Sequence, residues 1–399
     1  MASEALLAYQ SLEGPALSGF FDLLSQEFSP DPEVVGQAGD AYRKDPSPQN
    51  LAQLLRVAEP QRQELFRRLN LAPAATRVLV AMRRQLLREL ERHPQWAPVE
   101  ADLSHLLTSW FNRGFLELRR IDWGTPAIIL EKLIEYEAVH EIQGWGDLRR
   151  RLEADRRCYA FFHPALGDEP IIFVEVALTR GMSARVQPLL SPNSPVLDPR
   201  SANCAIFYSI TNCQEGLRGV PFGNFLIKKV AEDLSRELRQ VQTFATASPV
   251  PSFREWLTGA AAAREKQPSS KPLIDAVAKL GEPEWYKNKQ ASEAVRRELE
   301  PACAYYLLSA KQGKEPLDPV ARFHLRNGAR LERLNWMGDT SLAGLQRSTG
   351  LMVNYVYRLA DVERNHELYM KGYQVTASRH IELLAKQSVF AREKTPSGS

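Results

Sequence analysis

Two stretches of this 399-residue chain carry side chains suited to proton transfer, and a third is suited to holding phosphate. Ser248 lies in Ala247-Ser-Pro-Val-Pro251. The following proline disfavours helical backbone at Ser248, so its hydroxyl sits in a rigid, extended loop. A serine before proline is also an ordinary turn residue. His324, in Arg322-Phe-His-Leu-Arg-Asn-Gly328, is one of four histidines beyond residue 148, with His163, His366 and His380. Imidazole has an ordinary pKa of about 6.5, which permits proton delivery at neutral pH. A histidine near a helix end serves equally as a capping or surface group. Tyr355 and Tyr357 lie on a predicted strand and read as core or pocket wall, because an ordinary tyrosine holds its proton too tightly to act as an acid at neutral pH. The phosphate candidate is Gln214-Glu-Gly-Leu-Arg-Gly-Val-Pro-Phe-Gly223, three glycines in ten residues. A glycine-rich turn feeding a helix presents unpaired N–H groups and the positive end of the helix dipole, which suits pyrophosphate. The same turn can also simply join a strand to a helix.

The elements that must position these groups follow from periodicity. Cys204–Ile210 is short, apolar and β-branched or aromatic, a strand pattern. Phe222, Phe225, Leu226, Val230, Leu234 and Leu238 recur at helical spacing behind the glycines. Further strands are predicted at 158–162, 171–177, 241–246, 329–336 and 351–357. Helices are predicted from Phe253, with Ser252 and Glu255 as a capping box, from Asp318-Pro319, from Thr340, and over 375–390. Residues 1–148 read as helical throughout, with apolar positions such as Leu79, Met82 and Leu86 recurring on one face. Arg83 and Arg88 are expected on solvated faces of these helices. The expected organisation is therefore α+β and multi-domain. An N-terminal all-α bundle (1–148) precedes an α/β mixed-sheet domain (149–399) with an exposed helix-and-loop insertion at about 259–300.

Composition narrows the function classes. With 44% hydrophobic and 25% charged residues, the chain reads as an ordinary globular protein. A formal net charge of +3, without a basic run interleaved with aromatics, gives no case for nucleic acid. No apolar run reaches the ~18 residues of a membrane span. The four cysteines lack zinc-like spacing and are expected as buried thiols. The N-terminal residues show neither a secretory nor a transit pattern, and the last residues carry no peroxisomal address, so the expected compartment is the cytoplasm.

The glycine spacing is neither the dinucleotide fingerprint nor the phosphate loop of nucleotide hydrolases. It resembles the pyrophosphate loop of the acetyltransferase-like (GNAT) fold, which binds coenzyme A. More narrowly, the chain resembles malonyl-CoA decarboxylases. The blocks that carry this resemblance are Ser209-Ile-Thr-x-x-Gln-x-Gly-Leu-x-Gly-Val220, Phe225-Leu-Ile-Lys228, Ser248-Pro-x-Pro-x-Phe253, Pro319-Val-Ala-x-Phe-His-Leu-x-Asn-Gly-Ala329, Asn335-Trp-Met and Gly350-Leu-Met-x-Asn-Tyr355. The resemblance implies a GNAT-like catalytic domain with Ser248 and His324 at the family's active-site positions. The coenzyme A loop falls on Arg218, Gly219, Val220, Pro221, Phe222, Gly223 and Asn224, and Asn354, Tyr355 and Tyr357 are further candidates for the substrate pocket. Pro221 stands where eukaryotic members can carry a carboxylate. The helical N-terminal region is associated in that family with tetramers.

The implied reaction turns malonyl-CoA into acetyl-CoA and CO2, a step of fatty acid metabolism. Loss of CO2 leaves an enolate that the thioester carbonyl already stabilises, so no organic cofactor or metal is expected. The expected partners are malonyl-CoA, acetyl-CoA and further copies of the chain in a homotetramer, with neither nucleic acid nor membrane. On this reading Ser248 contacts the malonyl carboxylate and exchanges its proton, and His324 delivers the proton to carbon. Two alternatives stay open: an acyltransferase of the same fold, and a non-catalytic acyl-CoA sensor or scaffold.

Overall fold

A computed structural model describes residues 1–220 and 226–392, divided into two compact units. The first unit comprises Met1–Arg119, Phe161–Ile172 and Asn212–Gly223. Its helices span Ala2–Gln10, Gly14–Gln26, Pro32–Lys44, Pro48–Ala58, Gln61–Leu69, Ala75–Glu89 and Ala97–Trp110. Leu6, Phe21, Phe66, Leu79, Leu86, Trp96 and Leu103 meet in its core. Helix Ala75–Glu89 also holds the start of the glycine-rich turn. A Cβ on Gly216 would lie 1.9 Å from the Val80 carbonyl oxygen, so only glycine fits there. Arg83, expected on a solvated face, is instead buried. Its guanidinium donates to the Gly216 carbonyl (2.7 Å), to Glu100 Oε1 (2.7 and 2.9 Å) and to Ser104 Oγ (3.2 Å). An arginine enters a core when its donors are matched in this way. Arg88, more exposed, pairs with Glu215 at 2.6 Å.

The second unit comprises Arg120–Ala160, Phe173–Thr211 and Asn224–Ser399. In chain order the strands of the protein are β1 (Glu117–Ile121), β2 (Arg156–Phe162), β3 (Pro170–Thr179), β4 (Cys204–Asn212), β5 (Thr243–Thr246), β6 (Ser248–Pro249), β7 (Lys311–Gln312), β8 (Glu315–Pro316), β9 (Arg330–Asn335) and β10 (Met352–Val356). The main sheet runs β1-β2-β3-β4-β5-β10-β6, with β9 paired to β10; β7 and β8 form a separate hairpin. Strand β4 is parallel to β5, with Phe207 opposite Thr246. Strand β10 is antiparallel to β5, β6 and β9. Together with the flanking helices this mixed sheet agrees with the expected fold class. Strand β1 was not expected in a helical stretch; of Glu-Leu-Arg-Arg-Ile only Ile121 is buried, so little apolar alternation announces it. Ser252 precedes helix Phe253–Ala262 as expected, yet its side chain makes no capping bond. In the stretch expected as an insertion, helices Lys271–Lys279 and Lys289–Ser309 bury Leu273, Val295 and Leu299.

One alternation positions the site. Cys204, Ile206, Tyr208, Ala245 and Ala247 pack into a single apolar cluster with Met352 and Val356. Because side chains alternate along a strand, Thr246 and Ser248 face the other side of the sheet. Strands β5 and β6 are nearly one strand, interrupted at Ala247, whose N–H donates to the Phe207 carbonyl at 2.9 Å. Pro249, the last residue of β6, and Pro251 beyond it remove two backbone donors and end the pairing.

Candidate active site

His324 reaches the Ser248 face from helix Pro319–Arg326. Asp318 starts that helix, its carboxylate accepting from the Ala321 N–H at 2.8 Å, and Pro319 takes the first turn, where a missing N–H costs nothing. Ala321, His324 and Leu325 fall on the buried side of the helix. Gly328 ends it with φ +79°, and a Cβ there would lie 2.1 Å from the Val362 carbonyl oxygen. Both features require glycine.

His324 Nε2 lies 2.9 Å from Ser248 Oγ, and its Nδ1 lies 2.8 Å from the Tyr357 hydroxyl. The imidazole stacks on Tyr355 with ring centroids 4.5 Å apart and planes at 25°. Ser248 Oγ donates to Thr246 Oγ1 at 2.8 Å. Ser248 and His324 are only 5% and 3% exposed, so both stand in a low-dielectric setting. Burial pushes His324 down to about 3 and raises both tyrosines well above their usual range. The resting imidazole is therefore neutral, which corrects the expectation of a histidine titrating near 6.5. Burial also pushes Asp318 up to about 6, against the N–H bonds that favour its charged form.

Asn354 is fully buried and saturated. Its oxygen accepts from Arg333 Nε (3.0 Å) and Asn335 Nδ2 (2.9 Å), and its amide donates to the carbonyls of Thr246 (2.5 Å) and Ser183 (3.2 Å). It acts as a strut beside Thr246, with no hydrogen-bonding capacity left over. Thr246 itself went unnoticed in the sequence. The signal was its spacing, two residues before Ser248 in a strand, which places the two hydroxyls side by side. In strand β4, Ser209 and Thr211 donate to Glu137 Oε2 at 2.7 and 3.2 Å, a structural use of two motif residues.

The coenzyme A loop candidates Arg218, Gly219 and Val220 belong to the first unit. Gly219 has φ +82°, and nothing lies within 4 Å of where its Cβ would be, so the backbone conformation itself favours glycine. Pro221, Phe222, Gly223 and Asn224 lie outside the described residues. Among the described residues no three His, Cys, Asp or Glu side chains group as a metal site would need.

A family model for the malonyl-CoA decarboxylase C-terminal domain matches residues 114–395, and one for the N-terminal domain of the same family matches 28–111. The chain belongs to the malonyl-CoA decarboxylase family. Family members of known structure are similar over nearly their whole length. A malonyl-CoA decarboxylase from Rhodopseudomonas palustris is 48% identical, with a TM-score of 0.89 over 96% of this chain and 93% of its own. One from Agrobacterium vitis is 47% identical, also at 0.89, over 96% and 94%. The mitochondrial malonyl-CoA decarboxylase of Anser anser anser is 36% identical over 81% of this chain and 69% of its own length. Ser248 and His324 both fall within the stretch matched by the family's C-terminal domain. No helix among the described residues is long and apolar enough to cross a membrane.

Proposed function

We propose that this protein decarboxylates malonyl-CoA to acetyl-CoA and CO2 at the Ser248–His324 site. The observation that carries the proposal is the 2.9 Å contact between two side chains 76 residues apart, buried together under two tyrosines in a chain of this family. The malonyl carboxylate is held perpendicular to the thioester plane, so the electrons of the breaking C–C bond flow into the carbonyl. Preorganised hydrogen bonds stabilise the enolate oxygen, and a proton is then added to carbon. Because resting His324 is neutral, it supplies a proton as an N–H acid through Ser248. A thioester enolate is a far stronger base than either group, so the transfer runs downhill. Solvent returns the proton after product leaves.

The thioester carbonyl is the only electron sink this chemistry needs, and the proposal includes no organic cofactor or metal. Full activity after exhaustive dialysis against a chelator is the expected result. Arg218, Gly219 and Val220 form the described part of the coenzyme A loop, and Gly219→Val is expected to raise KM for malonyl-CoA several-fold with kcat little changed. An unchanged KM removes the loop from the binding site. Residues 1–148 are proposed as the assembly domain of a homotetramer and 149–399 as the catalytic domain. None of the four cysteines forms a disulfide, which fits a reducing compartment such as the cytoplasm; fractionation of the source cells tests that placement.

The deciding experiment is purified protein with malonyl-CoA and no acceptor, following acetyl-CoA and CO2. Stoichiometric appearance of both supports the proposal. Turnover that requires an added amine would make the protein an acyltransferase, and binding without turnover would make it a sensor.

A further inference from the structure

The hydroxyl of Thr246 touches three groups, and two of them have fixed roles. The Tyr355 N–H, 3.1 Å away, can only donate; the Val353 carbonyl, 3.4 Å away, can only accept. The single Thr246 hydrogen is thus directed to Val353, and its oxygen receives Tyr355 N–H together with the third neighbour, Ser248, at 2.8 Å. Ser248 must then donate to Thr246, which leaves the Ser248 oxygen free to accept from His324 Nε2 at 2.9 Å. A neutral imidazole has one hydrogen, now placed on Nε2. Its Nδ1 is therefore an acceptor, and the hydroxyl of Tyr357 donates to it across 2.8 Å. The reverse direction would strip the Val353 carbonyl of its hydroxyl donor.

We propose that Thr246 is a positioning residue that fixes the direction of this hydrogen-bond chain, holds His324 as its Nε2–H tautomer and so makes Ser248 a proton donor rather than a nucleophile. An Nε2 that already carries hydrogen cannot take the Ser248 proton, so the pair lacks the base that a serine nucleophile requires. Accepting a bond from Nε2–H makes the Ser248 hydroxyl a better acid instead. The inference rests on the decarboxylation proposed above. In the proton step the Ser248 hydroxyl rotates from Thr246 towards the enolate carbon, still accepting from Nε2–H, and its O–H bond breaks as the C–H bond of acetyl-CoA forms. The Nε2 hydrogen follows to Ser248, and the remaining negative charge is neutralised by a proton from water. No acyl-enzyme forms.

The test combines two readouts on the full-length protein, with folding checked by thermal unfolding. Histidine-selective 15N labelling, with His324 assigned by comparison with His324→Asn, is expected to show Nε2 protonated and Nδ1 unprotonated in the resting enzyme. Thr246→Val, which keeps the shape and removes the hydroxyl, is expected to abolish that preference and lower kcat about 10–100-fold with KM nearly unchanged, less than loss of the acid itself. Thr246→Ser is expected to restore both. An Nδ1–H tautomer in the wild-type protein overturns the proposal, as does a Thr246→Val variant with unaltered tautomer and kcat. If Thr246→Val does not fold, the wild-type tautomer and Thr246→Ser decide. Failure to turn over malonyl-CoA would refute the proposed function but leave the tautomer measurement intact, so the two failures are distinguishable.

Discussion

The helical hairpin of the first unit and the Ser248 face of the second treat polarity in opposite ways. Helices Pro32–Lys44 and Pro48–Ala58 pack chiefly on each other, and no residue of the second is buried. Leu55 is 63% exposed, and Val34 on the first helix and Leu51 on the second are exposed as well. At the Ser248 face the polar groups are inside. Thr246, Ser248, His324 and Asn354 are all buried, each with hydrogen-bonding partners. Sequestering polar groups is costly unless they are paired, and it strengthens the electrostatics of whatever reacts there. Exposing apolar side chains along a helix forgoes burial that another surface can supply. The contrast supports the division of labour proposed above, with chemistry at the Ser248 face and contact between copies at the hairpin.

Breaking the polar side should have the largest effect. His324→Asn is expected to lower kcat about 10²–10⁴-fold with KM much less affected, because protonation follows binding. Ser248→Ala should lower kcat as well, and the double variant should fall short of the product of the two losses, since the residues act through one proton. Steady-state kinetics on the three variants measures this. A fully multiplicative double variant would mean that the two act independently.

Burial of the same histidine predicts how stability depends on pH. The folded protein holds His324 down to about 3, whereas the unfolded chain returns it to about 6.5. Between those values the unfolded state binds the extra proton, so stability falls as pH drops through the window and is unaffected above it. The slope is about 1.4 kcal/mol per pH unit. Between pH 7.5 and 5, wild type should thus lose about 2 kcal/mol more than His324→Asn in urea unfolding. Equal losses would place the histidine in contact with water.

Each unit also contains a glycine that a neighbouring carbonyl presses upon, Gly216 in the first and Gly328 in the second, and this pair separates stability from chemistry. Gly216→Ala would push a methyl against the Val80 carbonyl, and Gly328→Ala against that of Val362. Both should cost about 1–3 kcal/mol in chemical denaturation. Only Gly328→Ala should also lower kcat, because Gly328 ends the helix that aims His324. Equal kcat values for the two variants would remove the helix exit from the positioning of the imidazole.

How much of this was legible beforehand depended on which force acts at each position. Strands β4, β5 and β10 were readable because buried strands repeat apolar residues, and Asp318-Pro319 announced its helix because a cap and a first-turn proline act locally. Strand β1 was not readable, since its pairing is set by a neighbouring strand and not by Glu-Leu-Arg-Arg-Ile itself. Arg83 was misplaced for a related reason: its partners Glu100, Ser104 and Gly216 are distant in sequence, and it is their acceptors that make burial of a guanidinium tolerable. Ser248 and His324 were named from motif blocks, but the depressed pKa of His324 depends on how completely the fold covers it. Thr246 looked like one more β-branched strand residue, and only the register that sets it beside Ser248 and Tyr355 gives it a role.

The smallest expected effect on turnover, and the largest on mass, comes from the exposed hairpin. A helix of eleven residues with no buried side chain gains little from its own unit, and isolated helices of that length are marginal in water. Covering the exposed parts of Leu51 and Leu55 (39% and 63%) with another copy of the chain would contribute about 1 kcal/mol each, since full burial of an exposed leucine is worth about 1.5–3 kcal/mol. If the hairpin builds the proposed tetramer, Leu55→Asp puts a charge into that contact, and light scattering at micromolar concentration should show a species smaller than the wild-type tetramer. Its kcat should stay within about twofold of wild type, because Ser248 and His324 lie in the other unit and surface substitutions remote from a site rarely move it. A wild-type monomer would end the assembly proposal outright. A Leu55→Asp tetramer of unchanged mass would move the interface elsewhere on the helical unit.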